Sequence, residues 1–162
     1  MKRIIILLAA FLLPLTFSAL SITGCSNQGN DEKKLPMEIV MDGTFSAIDD
    51  KRELLINDNE KYQSLMGEVY KNLDQMPRIP VIDFTKYSII AVFTGPKNSG
   101  GYLVSIDSVS EGFDISVNVT DTAPGKDCII TQGITKPFSI VKIPRTNKKA
   151  VFKTKQIVKD CK

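Results

Sequence analysis

The spacing of apolar residues along this chain changes character several times, and each change predicts a different element. Residues 4–13 (IIILLAAFLL) form an unbroken apolar run behind Met1-Lys2-Arg3, and after Pro14 small or apolar residues continue to Gly24. From Ser26 to Pro36 (SNQGNDEKKLP) the chain is polar and charged, without apolar periodicity. Such a segment buries too little surface to order itself, so residues 25–36 read as a flexible tether and folding is expected to start near Met37. Alternation begins in Glu38-Ile39-Val40-Met41, breaks at Gly43 and resumes in Thr44–Ile48; Leu54–Ile56 then returns after Asp49-Asp50. This predicts a hairpin over residues 37–57. Next, Tyr62, Leu65, Met66, Val69 and Leu73 recur at three- and four-residue spacing, the stripe of a helix packed on a sheet. Asn57 with Glu60 fits a capping box at its start, and Met76-Pro77-Arg78-Ile79-Pro80 is the expected stop.

Beyond Pro80 the pattern is that of strands. Tyr87–Thr94 (YSIIAVFT) is nearly all apolar, which predicts a strand buried on both faces. Residues 102–109 alternate through Tyr102, Val104 and Ile106, and residues 113–119 through Phe113, Ile115, Val117 and Val119, with Glu111-Gly112 as the turn between them. Cys128–Gln132, Phe138–Ile143 and Ala150–Val158 complete the set. The fold class is therefore mainly β with one helix (α+β): a single domain over 37–162, built as an antiparallel β-sandwich or partly open barrel.

Composition narrows the chemistry. The chain has 162 residues, a net charge of +3 and no histidine, which excludes Ser-His-Asp and Cys-His mechanisms and His-ligated zinc. The leader has a basic start, a short apolar stretch and small residues at its end, the layout of a secretory signal peptide. Pro14 and the limited length argue against a membrane-spanning helix. Its last residues, Ile22-Thr23-Gly24-Cys25, resemble the bacterial lipobox. That resemblance implies a lipoprotein: residues 1–24 are removed, the Cys25 thiol is acylated, and the body is exported and held extracytoplasmically on a bacterial membrane. Removing the first 24 of 162 residues leaves 138 and takes away Lys2 and Arg3, so the charge falls to +1. A near-neutral body of that kind does not steer toward nucleic acid.

Export also places Cys128 and Cys161 where disulfides form, and a pair left over after the lipid site reads as one bridge. A reduced pair, or a catalytic thiol lacking any histidine to activate it, are the alternatives.

Gly95-Pro96-Lys97-Asn98-Ser99-Gly100-Gly101-Tyr102 reads as a long hairpin loop with Lys97, Asn98 and Ser99 at its exposed tip. A phosphate cradle would need such glycines to open a helix, whereas Tyr102 opens a strand. Loops held by a rigid scaffold tend to carry function, so residues 96–102 are the candidate binding loop. Thr131 and Gln132 are secondary candidates, able to bond a peptide backbone or their own loop.

Taken in order, VIDF at 81–84, VFTG at 92–95, SGGY at 99–102, TQG at 131–133, KPF at 136–138 and VKIP at 141–144 resemble the PrcB C-terminal domain family. The resemblance spans roughly residues 81–161. The family takes its name from a lipoprotein subunit of a bacterial surface protease complex. It implies an extracytoplasmic binding or stabilising module, with an exported protease as partner and with no enzyme activity, metal or cofactor of its own; a cysteine before the Thr-Gln pair and one near the C-terminus also fit it. Two other functions stay open. A carboxylate-based hydrolase would draw on Asp83, Asp107, Asp114 or Asp121, with two acids about 5 to 9.5 Å apart. A small apolar ligand would need an interior cavity above roughly 300 Å³.

Overall fold

The computed structural model describes residues 32–75 and 77–161; the leader, Cys25 and the start of the tether lie outside them. Three layers stack in the order sheet, sheet, helix. The middle layer has the strand order β2 (Glu38–Gly43), β9 (Phe138–Pro144), β4 (Tyr87–Thr94), β3 (Lys51–Ile56), all antiparallel. The outer sheet has the order β1 (Lys33–Lys34), β6 (Leu103–Glu111), β7 (Ile115–Pro124), β10 (Ala150–Lys159). A third sheet is a short ribbon of β5 (Lys97–Ser99) and β8 (Gln132–Thr135). The class is thus α+β with a sandwich, and neither sheet closes into a barrel.

The even spread of apolar residues in β4 has a direct consequence. Ile90 and Val92 point into the core between the sheets, with Val141 and Ile143 of β9 and Val117 and Val119 of β7. Their neighbours Ile89, Ala91 and Phe93 point the other way, toward Tyr62, Leu65, Met66 and Val69 of α1 (Asn59–Val69). β4 is therefore buried on both faces, as its composition predicts.

Five local expectations are corrected. β2 and β3 do not pair as a hairpin; they lie at opposite edges of the middle sheet. Thr44–Ile48 is not strand but the crossing between those edges, pinned by Lys136 N–H to the Thr44 carbonyl at 2.7 Å and by Ala47 N–H to the Val69 carbonyl at 3.0 Å. Ile48 is apolar because it lies under the helix, a role that alternation cannot distinguish from strand burial. The helix cap is Asp58, whose Oδ1 accepts from Lys61 N–H at 2.8 Å, while the Asn57 side chain accepts from Ser88 Oγ at 2.5 Å. The helix stops at Tyr70, before the prolines, which leaves Leu73 exposed. Phe113 belongs to the turn and is 93% exposed.

The ordered unit also begins before Met37. Lys33 and Lys34 pair with Glu111 and Ser110, Leu35 donates its N–H to the Val109 carbonyl at 2.8 Å, and the Leu35 side chain sits in the inter-sheet core. One apolar residue in a polar segment suffices here, because β6 offers a free edge for the chain to join.

The last strand departs from the all-antiparallel expectation too. β10 pairs with β7 in parallel, from Ala150 opposite Ile115 to Lys159 opposite Pro124. The reason is topological: β9 ends in the other sheet, and the connection delivers Lys149 to the end at which β7 starts, where Ile115 N–H bonds its carbonyl at 2.8 Å. The chain then has only one direction to run.

Candidate functional site

Gly95 to Tyr102 is not a hairpin loop. Both sides of β4 are already occupied by β3 and β9, so the chain leaving β4 must cross to the outer sheet to become β6. Gly95, at φ +72°, makes the first bend beside the backbone of Asp49 to Lys51. On the way the chain pairs as β5 with β8, Lys97 opposite Thr135 and Ser99 opposite Gln132. The expected binding loop and the Thr131-Gln132 segment are therefore two strands of one ribbon.

The paired glycines fasten this ribbon to the sandwich. Gly100 N–H bonds the Thr131 carbonyl at 3.0 Å, and a side chain at Gly100 would collide with Thr131 Oγ1. Gly101 has φ +85°, a region L-residues avoid, and a Cβ there would stand 2.9 Å from Pro124 Cβ. Thr135 Oγ1 donates to the Ser99 carbonyl at 2.8 Å from inside the ribbon.

The exposed tip expected at Lys97, Asn98 and Ser99 is corrected. Only Asn98 is exposed among the three. Lys97 Nζ pairs with Asp121 Oδ2 at 3.2 Å, with both side chains mostly buried, and lies 5.3 Å from the centre of the Tyr102 ring. Exposure falls instead on the opposite arm: Gln132 and Gly133 are open, Ile134 is 65% exposed, and Ile129 is fully exposed. The sequence carries a trace of this in the Ile129-Ile130 doublet, which the expected strand Cys128–Gln132 absorbs, and in Ile134 beside Gly133, which lies in the strand that forms at Gln132–Thr135.

Two open grooves flank the ribbon. One, of about 460 Å³, is lined by Phe45, Ser46, Asp49, Pro96, Ile134 and Lys136, with the Lys136 ammonium 2.6 Å from Asp49 Oδ1 on its wall. The other, of about 170 Å³, lies between Lys97, Tyr102 and Asp121 on one side and Gln156, Ile157 and Val158 of β10 on the other. Neither is an interior cavity of the kind an enclosed apolar ligand needs.

The end of β10 beyond the second groove is held covalently. Cys128 and Cys161 form a disulfide between the segment leading into β8 and the end of β10. Gly125 N–H bonds the Lys159 carbonyl at 2.9 Å, and Cys128 N–H bonds the Gly125 carbonyl at 3.1 Å. The bridge and the glycine pair together set the ribbon's angle to the sandwich.

Three of the four candidate carboxylates are engaged, each by different partners. Asp83 accepts from Thr85 and pairs with Lys86. Asp121 holds Lys97, and Asp114 sits in the β6–β7 turn. Asp107 accepts from Thr120 Oγ1 and from Ser105 Oγ, and pairs with Lys155 at 3.3 Å. Burial pushes the Asp107 carboxyl upward, but those hydroxyls and the lysine outweigh it and hold the group below the ordinary carboxylate range. In the β6–β7 ladder Asp107 lies opposite Asn118–Val119, four residues past Asp114. That is a separation of roughly 13 Å along the strand, beyond the reach of a paired-acid mechanism. Among the described residues, no group of three or more cysteine, aspartate or glutamate side chains is placed to hold a metal ion.

Residues 88–144 match the PrcB C-terminal family model. The PrcB C-terminal match runs from β4 to the end of β9, so it takes in the ribbon, both glycines and Cys128. It is narrower than the 81–161 stretch of the resemblance, stopping short of VIDF, β10 and Cys161. No curated protein and no solved structure matches the chain.

Proposed function

We propose that the protein is a lipid-anchored, extracytoplasmic protein-binding module that engages an exported protease through the β5–β8 ribbon. The observation that supports the reading is the ribbon itself, a projecting arm fixed at its base by Gly100, Gly101 and the Cys128–Cys161 bridge, with apolar Ile134 and Phe45 presented to solvent beside it. Exposed apolar side chains on a rigid arm give a partner something to bury without an ordering cost, which is how small surfaces achieve affinity. The PrcB C-terminal match covers this arm and suggests association with a protease complex. In this reading the chain binds and does not catalyse, and Cys25 carries the lipid.

A photo-crosslinking residue at position 134, in the acylated protein in intact cells, tests it. An exported protease crosslinked at that position, and lost from the wild-type complex when Ile134→Asp is introduced, is the expected result. Crosslinks to no protease, with the Ile134→Asp protein still co-purifying with every partner of the wild type, would remove the ribbon as the contact.

A further inference from the structure

The end of the sandwich opposite the ribbon has its own chemistry. The chain comes into the domain there: Glu32 precedes β1, its carboxylate accepts from Ser110 Oγ at 2.6 Å, and Lys33 pairs with Glu111. The β6–β7 turn places Phe113 at the extreme edge, 93% exposed, between Gly112 and Asp114. Lys148 braces that turn, its Nζ 2.7 Å from the Gly112 carbonyl and 2.9 Å from Glu111 Oε1. Lys33 and Lys34 of β1, Lys149 ahead of β10 and Lys153 in β10 lie toward the same end, and none makes an ion pair among the described residues. Against them stand Glu32, Asp114 and the already paired Glu111. Beside Phe113 lies a groove of about 220 Å³, walled by Glu32, Asp114, Ser116, Val151 and Lys153. Ser116, 6% exposed, has a hydroxyl with no partner among the described residues.

A single exposed phenylalanine is ordinary. Its position is what matters. Glu32 lies seven positions after Cys25, so a fully extended chain puts Glu32 no more than about 25 Å from an anchored sulfur. The ribbon lies at the far end of β6, a nine-residue strand, on the order of 30 Å away from this end along the strand.

We propose that this end is a membrane foot: Phe113 inserts at the headgroup boundary of the bilayer while Lys33, Lys34, Lys149 and Lys153 meet anionic phospholipid headgroups. The foot rests on the reading of Cys25 as the lipid site, because the short tether is what brings it to the surface. An exposed aromatic ring with basic residues at the same end is suited to that interface, and each basic group near an anionic leaflet adds attraction that salt weakens. The consequence is orientation. With the foot down, the ribbon and both of its grooves face away from the membrane, toward an exported partner.

The chain has no tryptophan, so Phe113→Trp and Ile134→Trp each introduce a single fluorophore, at the foot and at the ribbon. Both variants, acylated and purified from membranes, are placed in phosphatidylglycerol vesicles carrying brominated acyl chains. We expect Phe113→Trp to be quenched at least about threefold more strongly than Ile134→Trp, with a blue-shifted emission. Replacing phosphatidylglycerol by phosphatidylcholine, or adding Lys33→Glu, Lys34→Glu and Lys149→Glu, should abolish most of that difference. Equal quenching at the two positions overturns the foot, and so does a difference that survives in phosphatidylcholine. Mass measurement of Cys25 in the same samples separates the two readings: an unmodified thiol overturns the anchor, whatever the quenching shows.

Discussion

β4 and β10 are both strands of eight or more residues, yet they are held in place by different physics. Every residue of β4 from Ser88 to Phe93 is buried, with one face on the outer sheet and the other on the helix. β10 has the longer ladder, ten residues against β7, but beyond Phe152 every residue of the strand is exposed. Burial secures the first. The second depends on its hydrogen bonds, on Gly125 N–H to the Lys159 carbonyl and on the disulfide at its end. A strand carrying little apolar surface cannot recover its ordering entropy from burial, and a covalent tie lowers that cost from the unfolded side. The β5–β8 ribbon leaves the strong strand at Gly95 and is tied to this weaker one through the Cys128–Cys161 bridge.

Three experiments can break or sharpen that contrast. The largest effect is expected at Phe93, 1% exposed and stacked on Phe138 with ring centres 5.8 Å apart. Phe93→Ala should cost about 3 to 5 kcal/mol in denaturant unfolding, whereas Ile157→Ala in β10, 42% exposed, should stay within about 0.5 kcal/mol. Comparable losses at the two sites would mean that β10 contributes to a core the burial pattern does not show.

Second in size is the bridge. Cys128→Ser with Cys161→Ser opens a cross-link between residues 33 apart, and the chain-entropy model puts its removal at about 3 to 4 kcal/mol. Hydrogen exchange should quicken in residues 156–161 and 125–135 and leave β4 protected. Uniform acceleration would place the bridge in the global unfolding unit and erase the distinction between the strands.

The smallest effect concerns acid. Asp107 joins β6, β7 and β10 through Ser105, Thr120 and Lys155, and its pKa is lowered from 3.8 in the fold. A depressed carboxylate contributes stability that is fully present above the unfolded value and is lost as pH falls through the folded one. Below about pH 4 the outer sheet should therefore loosen more in the wild type than in Asp107→Asn, whose stability lacks this term at every pH. Thermal unfolding followed from pH 6 to pH 2 checks it, and parallel curves for the two proteins would remove Asp107 from the account.

Local pattern conveyed some parts of this molecule and not others. The apolar run of Tyr87–Thr94 is enough to require burial on both faces, and the stripe of Tyr62, Leu65, Met66 and Val69 is enough to require a helix against a sheet. Thr44–Ile48 shows where the same reasoning stops: its alternation suits a strand, but its neighbours make it a crossing. The candidate site was legible as two segments, Pro96–Tyr102 and Thr131–Gln132, and not as a ribbon. Lys97 reads as an exposed cation until Asp121, 24 residues away, is brought beneath it. Ile129 reads as part of a strand over Cys128–Gln132, but the strand forms at Gln132–Thr135 and the fold leaves Ile129 in solvent.

What the residues determine by themselves is whatever depends on side-chain period and composition: the helix, the doubly buried strand and the lack of histidine chemistry. Tertiary structure alone decided which strands are neighbours, that β10 runs parallel to β7, and which end of the sandwich carries the ribbon. The physical reason is that a strand's side chains specify only how many of its faces must be covered. Its backbone will pair with any edge, and the edge it meets is settled by where the preceding chain delivers it.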